Sequence, residues 1–438
     1  MKILFKIIIL SITLLFSCKR NRDETSVPPE EKVIVTLTNP AVNVYLENSA
    51  SMLGYINGTT EYKTDVRELL TSLKFYYGDK NVNLNYINSK IYPIKTDNKL
   101  DYITNLNPSI FSVGDVFKSD LNNIFKQILE KTTENTISIL VSDCIYSVKG
   151  NADDLTVCKT GTKDAFLTKS KNSYPVTTAI VKLNSNFNGI YYDMNSKKTK
   201  LNKQQRPYYM VIMGSETGLK DFNSKVTFSE EKMNGYQNEL VLSKKDYSDK
   251  YFSDKYYYTL VKTTSDIGSY QTSKEASTID SKKGMEKIQL NERVKGNFTF
   301  SIAVDLKNIP ITSEYATTPN NYKILEGDYK IKDIKEYDAS IEKKLNQTSL
   351  AMLKNYDKKP THIIIVESTS KSYSNLKIIL KNQIPDWVNT TSIINDTNII
   401  KNKNQTFGFK YLIEGISEAN KVINPKSKNF LEINIIIN

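Results

Sequence analysis

Residues 42–55 read VNVYLENSASMLGY, an apolar run that passes directly into three oxygen-bearing side chains spaced two apart, Glu47, Ser49 and Ser51. Alternating Val42, Val44 and Leu46 mark a strand, and the small residues after Glu47 mark a tight turn. A carboxylate set directly behind a buried strand is costly unless something compensates its charge. Ser49, Ser51 and Asn48 could simply turn the chain and cap the following helix. Glu47 resists that plain account best. Oxygen donors crowded on one turn suit a hard divalent cation such as Mg²⁺ or Mn²⁺, which needs few protein carboxylates and keeps several waters.

Residues 33–225 alternate between strand and helix patterns. Tyr62, Val66, Leu69, Leu70 and Leu73 share one helical face, and VNLNYINSKIYPI (82–94) returns to strand. Leu121, Ile124, Phe125, Ile128 and Leu129 predict a second helix, capped by Ser119 or Asp120. TISILVSD (136–143) reads as a buried strand ending in Asp143, TTAIVKL (177–183) as helical, and RPYYMVIMG (206–214) as another central strand. Strand and helix in turn imply an α/β fold with a mostly parallel, doubly wound sheet covered on both faces. In such a sheet the loops converge at the carboxyl ends of the strands, which would bring Asp143 and Ser119 toward Glu47.

VYLENSASM resembles the first motif of von Willebrand factor A domains, an apolar strand followed by Asp-x-Ser-x-Ser, and ILVSDC resembles that family's later strand ending in Asp. The resemblance covers residues 33–225 and implies a Rossmann-like domain with a metal-ion-dependent adhesion site. Carried over by position, it implies metal ligation by Ser49, Ser51 and Asp143, with Glu47 in place of the first Asp and Ser119 in place of a Thr. Ala50 stands where a glycine is usual, and no Gly-Gly-Thr precedes the helix at 121. The resemblance further implies a protein partner whose carboxylate completes the metal shell.

The N-terminus opens with Lys2 and Lys6, then an apolar run from Ile7 to Phe16, then Ser17-Cys18. That shape reads as a secretory signal peptide over residues 1–18, too short to span a bilayer comfortably. Leu15-Phe16-Ser17-Cys18 resembles the lipobox of bacterial lipoproteins, which implies lipid on Cys18 and a membrane-anchored protein of the cell envelope, at the outer membrane. Residues 19–32, KRNRDETSVPPEEK, form a charged, Pro-containing tether. In an exported protein Cys144 and Cys158 are close enough in sequence to bridge across a loop, two unpaired thiols being the other reading.

The net charge is +12, but Lys is scattered among Asn, Ile, Tyr and Ser with no Arg block, so we expect no nucleic-acid partner. With 39% hydrophobic and 25% charged residues among 438, the chain is an ordinary globular protein with room for two or three domains. From residue 226 to 295 Lys, Ser, Tyr and Asp dominate, including YSDKYFSDKYYY (247–258), which reads as a solvated β-hairpin or insertion, stacking on sugars or bases being the alternative. FTFSIAVDL, HIIIVES, NLKIIL and LEINIII predict a sandwich-like β-rich region over 226–438, interrupted by one helix at FGFKYLIEGISEANK.

Functionally, these patterns favour a binding module over an enzyme. A metal-free structural subunit of an envelope assembly is the second reading, supported by Glu47 and Ala50. A hydrolase is the third, with Glu47 and Asp143 as its carboxylate pair. His362, the sole histidine, heads a predicted strand and suits the edge of a core. No nucleophile elbow, phosphate loop or Cys/His metal spacing occurs.

Overall fold

A computed structural model describes residues 37–117, 119–146, 152–243, 258–272, 284–290, 296–306, 309, 311–354, 359–425 and 429–438. The expected signal peptide with Cys18, the tether at 19–32 and nearly all of YSDKYFSDKYYY lie outside the described residues. Residues 36–438 form one compact unit. Among the described residues no helix is long and apolar enough to cross a membrane.

The first sheet has seven strands, β1 (Ala41–Glu47), β2 (Val82–Ile87), β3 (Ile91–Pro93), β4 (Thr136–Ser142), β5 (Thr177–Tyr192), β6 (Lys198–Gly214) and β7 (Tyr236–Leu242), in the order β3-β2-β1-β4-β6-β5-β7. Strand β1 runs parallel to β2 and β4, while every other pairing is antiparallel. The α/β class therefore holds, but the sheet is mixed rather than mostly parallel. The expectation failed at TTAIVKL, which begins β5 instead of a helix. Its β-branched run suits a pleated surface, and only the short turn 193–197 separates it from β6, a connection that antiparallel partners allow and parallel ones do not.

Both faces of this sheet are covered. Val42, Val44 and Leu46 pack with the helix Glu61–Tyr77, whose Tyr62, Val66, Leu69 and Leu73 are buried as their spacing predicts. Gly78, at φ 81°, ends that helix where a side chain would be strained. On the other face Tyr45 and Leu140 meet the helices Leu121–Lys131, Ala152–Asn172 and Phe409–Ile423. Asp120 caps the first of these, accepting the Asn122 N–H at 3.0 Å. The last returns from near the C-terminus, and its Gly415 lies so close to the Lys159 carbonyl that a Cβ would sit 2.7 Å from it. Lys159 and Lys163 then pair with Glu418 at 3.0 and 3.3 Å.

The remaining strands are β8 (Tyr258–Val261), β9 (Ser269–Thr272), β10 (Gly284–Gln289), β11 (Thr299–Val304), β12 (Tyr322–Glu326), β13 (Tyr329–Glu336), β14 (His362–Ser368), β15 (Leu376–Lys381), the short pair β16 (Ser392–Ile393) and β17 (Thr406–Phe407), and β18 (Asn429–Ile437). They form a five-stranded sheet, β12-β15-β18-β10-β9, and a four-stranded sheet, β13-β14-β11-β8. Phe300, Ile302, Ile364, Ile378, Ile433 and Ile435 from the two sheets share one core, so this part is a sandwich. The C-terminal region departs from expectation in two ways. It carries several helices rather than one, including Gln347–Lys354, which covers the outer face of the four-stranded sheet through Leu353. In addition, β7 and residues 386–423 belong to the layers of the first sheet, because their apolar faces fill its core rather than the sandwich.

Candidate metal centre

Parallel pairing sets the site. Leu46 lies opposite Val141, so Glu47 and the Ser142-Asp143 pair leave the sheet at the same edge. All five expected donors meet there. The Ser119 hydroxyl donates to Glu47 Oε1 at 2.6 Å, and the Ser142 hydroxyl donates to Oε2. The Ser49 and Ser51 hydroxyls lie 3.0 Å apart, and Ser51 also bonds to the Asp143 carboxylate. Asp143 Oδ1 accepts the Ile145 N–H at 3.1 Å. Glu47, Ser49 and Asp143 are each at most 5% exposed.

A buried amide network fixes the loop that brings Ser119 in. Asn48 donates to the carbonyls of Phe111 and Val113 at 3.0 and 2.7 Å and accepts from Asn88, which also donates to Val113 O. The Ala50 N–H reaches Val116 O at 2.9 Å. Strand β6 runs on from Tyr209, where β4 ends, back to Lys198, and with β5 forms a hairpin overrunning the sheet by roughly 30 Å. Its Phe187 ring meets Tyr55 edge-on at 5.0 Å beside Gly54, where a Cβ would come within 2.3 Å of that ring.

The hairpin turn, Asp396, Phe407 and the 116–117 stretch wall a cavity of about 360 Å³ above the serines. Glu47, Ser49, Ser51 and Ser119 line its floor, while Asp193 and Asp396 stand at its side. Asp143 does not line it and joins the site through Ser51. Asp396 accepts from the Tyr191 hydroxyl at 2.5 Å and the Met194 N–H at 2.9 Å, locking the turn in place. Arg206, 1% exposed, donates to the carbonyls of Asn402, Lys403 and Gln405 and stacks 4.7 Å from the Tyr191 ring centroid.

Burial, then the negative charge of Glu47, pushes the Asp143 carboxyl well above the usual carboxylate range. The Ser51 hydrogen bond, the Ile145 amide and the Arg206 charge pull it back but are outweighed. A divalent cation would add positive charge beyond that of Arg206, and the oxygen donors gathered here fit one. Its direct protein ligands would be the hydroxyls facing the cavity, with Glu47 beside them on the floor and Asp143 supplying charge from behind Ser51. Among the described residues no group of three or more His, Cys, Asp or Glu gathers as metal ligands. This hydroxyl-rich set suits Mg²⁺ or Mn²⁺ rather than zinc.

Cys144 and Cys158 are free thiols, not a disulfide. Cys144 follows Asp143 at the strand end, at φ 52°, whereas Cys158 is held within the helix Ala152–Asn172. Burial raises both thiols, Cys158 to about 11. His362 heads β14, nearly buried, its Nδ1 2.9 Å from the Thr361 hydroxyl, and takes no part in the cluster around Glu47.

Sequence reasoning missed Ser142, although it immediately precedes Asp143 and alternation along β4 puts it beside Glu47. It also missed Asn88, Arg206, Asp193 and Asp396, which reach the site from segments with no local signal. Comparison with family models, with curated proteins and with solved structures found no match to the chain.

Proposed function

We propose that this protein is a lipid-anchored binding module of the cell envelope, tethered through Cys18 to the outer membrane. Its von Willebrand factor A-like domain would hold Mg²⁺ or Mn²⁺ through Ser49, Ser51 and Ser119, with Glu47 and Asp143 supplying charge. A carboxylate from a protein ligand fills the open side. The observation that carries this reading is the convergence of the five oxygen donors beneath a cavity at one strand edge. Charge-assisted contacts of that kind, shielded from water, give specificity as well as affinity. The hydrolase alternative has less support, since Glu47 lines the cavity and Asp143 does not.

One observation favours the metal-free structural reading. Both Glu47 oxygens already accept hydroxyl hydrogen bonds, so the edge is closed without an ion. Capture of envelope proteins on the immobilised chain separates the two. Binding in Mg²⁺ that is lost with a chelator and in Ser49→Ala supports the adhesion reading. Capture unchanged by either treatment would favour the structural one.

A further inference from the structure

A second cavity, of about 600 Å³, opens at the opposite edge of the first sheet, between β7, the helix Glu216–Lys225 and the near end of the sandwich. Its size is that of a small-molecule site, and Leu219, Val241 and Leu306 give it apolar walls. Its charge runs against the rest of the molecule. In a chain of net charge +12, the described lining carries four glutamates, Glu216, Glu239, Glu314 and Glu336, against one lysine, Lys220. Burial, then the charge of Glu314, pushes the half-buried Glu239 carboxyl up to about 7, the behaviour of a carboxylate with too little counter-charge. His362 also lines the cavity; burial lowers its pKa, and its Nε2 meets no partner among the described residues.

We propose that this cavity binds a small amphipathic organic cation, a primary ammonium on a hydrocarbon body. The hydrocarbon lies against Leu219, Val241 and Leu306, and the ammonium sits between Glu239 and Glu314. An anion meets the wrong charge. A bare metal ion would leave the apolar walls unused. An ammonium with a hydrocarbon tail satisfies both the carboxylates and the walls, because its body gains from burial while its head is paired.

The test titrates the purified full chain with n-hexylammonium, with hexanol, which has the same hydrocarbon body, and with hexanoate, which has the opposite charge. Saturable binding of hexylammonium, about tenfold or more tighter than of either analogue, is the expected result. Glu314 is exposed, so Glu314→Lys should fold normally while placing a cation where the ligand's would sit, and it should abolish the preference. Glu239→Gln, checked for an unchanged melting temperature, should reduce it. Equal binding of hexanol and hexylammonium, or unaltered hexylammonium binding in Glu314→Lys, would overturn the proposal. So would binding of oligolysine without binding of hexylammonium, which would assign the face to a protein partner.

Discussion

At one edge of the first sheet Glu47 and Asp143 are buried among the hydroxyls of Ser51, Ser119 and Ser142, whereas at the other Glu239 and Glu314 border an open cavity with apolar walls. Both edges hold carboxylates short of positive charge, yet the surroundings direct them to different partners. Hydroxyls packed around a carboxylate can ligate a small hard ion as well as hold the carboxylate in place. At the second edge the apolar walls beside the carboxylates favour a cation that brings its own apolar surface. The construction differs too. The first edge is made where parallel β1 and β4 end together, while the second needs the sandwich to supply Leu306, Glu314 and Glu336 as a wall.

That dependence gives the largest expected effect. Ile433 is fully buried on β18, between β15 and β10 in the five-stranded sheet. Ile433→Ala should lower unfolding stability by about 2–5 kcal/mol in urea titrations. It should also weaken hexylammonium binding more than Mn²⁺ binding, and equal losses would dissolve the contrast between the edges.

Asp65 sharpens the comparison from between the two extremes. It is 1% exposed, yet accepts from the Tyr208 hydroxyl at 2.9 Å and the Gly235 N–H at 3.1 Å. Burial still raises it from 3.8 to about 6. The folded state therefore holds a proton that the unfolded chain has already released between those values. Stability should fall as pH rises from 3.8 to about 6, by about 3 kcal/mol, then level off as far as this group is concerned. Unfolding midpoints measured across that window should show the slope, and Asp65→Asn should flatten it. The smallest effect is expected at Ser142, which donates to Glu47 and accepts the Cys144 N–H at 2.8 Å. Ser142→Ala removes the donor to Glu47 Oε2 and the acceptor of the Cys144 N–H, and should cost about 1–3 kcal/mol, read by denaturant titration. No loss would mean that Glu47 does not depend on its hydroxyl shell.

The edge at Glu47 was legible because its parts are local. The strand-turn 42–55, the strand ending at Asp143 and the helix start beside Ser119 each carry their own pattern, and α/β alternation places them at one edge. The sandwich strands were legible for the same reason, since Phe298, Phe300, Ile302 and Val304 alternate cleanly and are all buried. The sheet's antiparallel half was not, because TTAIVKL is short and apolar enough to suit either helix or strand. The helix Ala152–Asn172 has little amphipathic contrast, with Thr162 buried and Gly161 pressed against Asn122. Arg206 and Asp396 could not be assigned from local pattern, since their roles arise only when distant segments meet. The cavity edge was invisible for the same reason: Glu239 and Glu314 are neighbours only in space.

Titration of Mn²⁺ into the full chain, followed by calorimetry and by loss of the free-ion paramagnetic signal, tests the central claim most directly. We predict saturable binding of one ion per chain, abolished by Ser49→Ala and weakened by Asp143→Asn, with both variants folded. Absence of binding at millimolar Mn²⁺, or equal binding in Ser49→Ala, would contradict a metal centre on these residues.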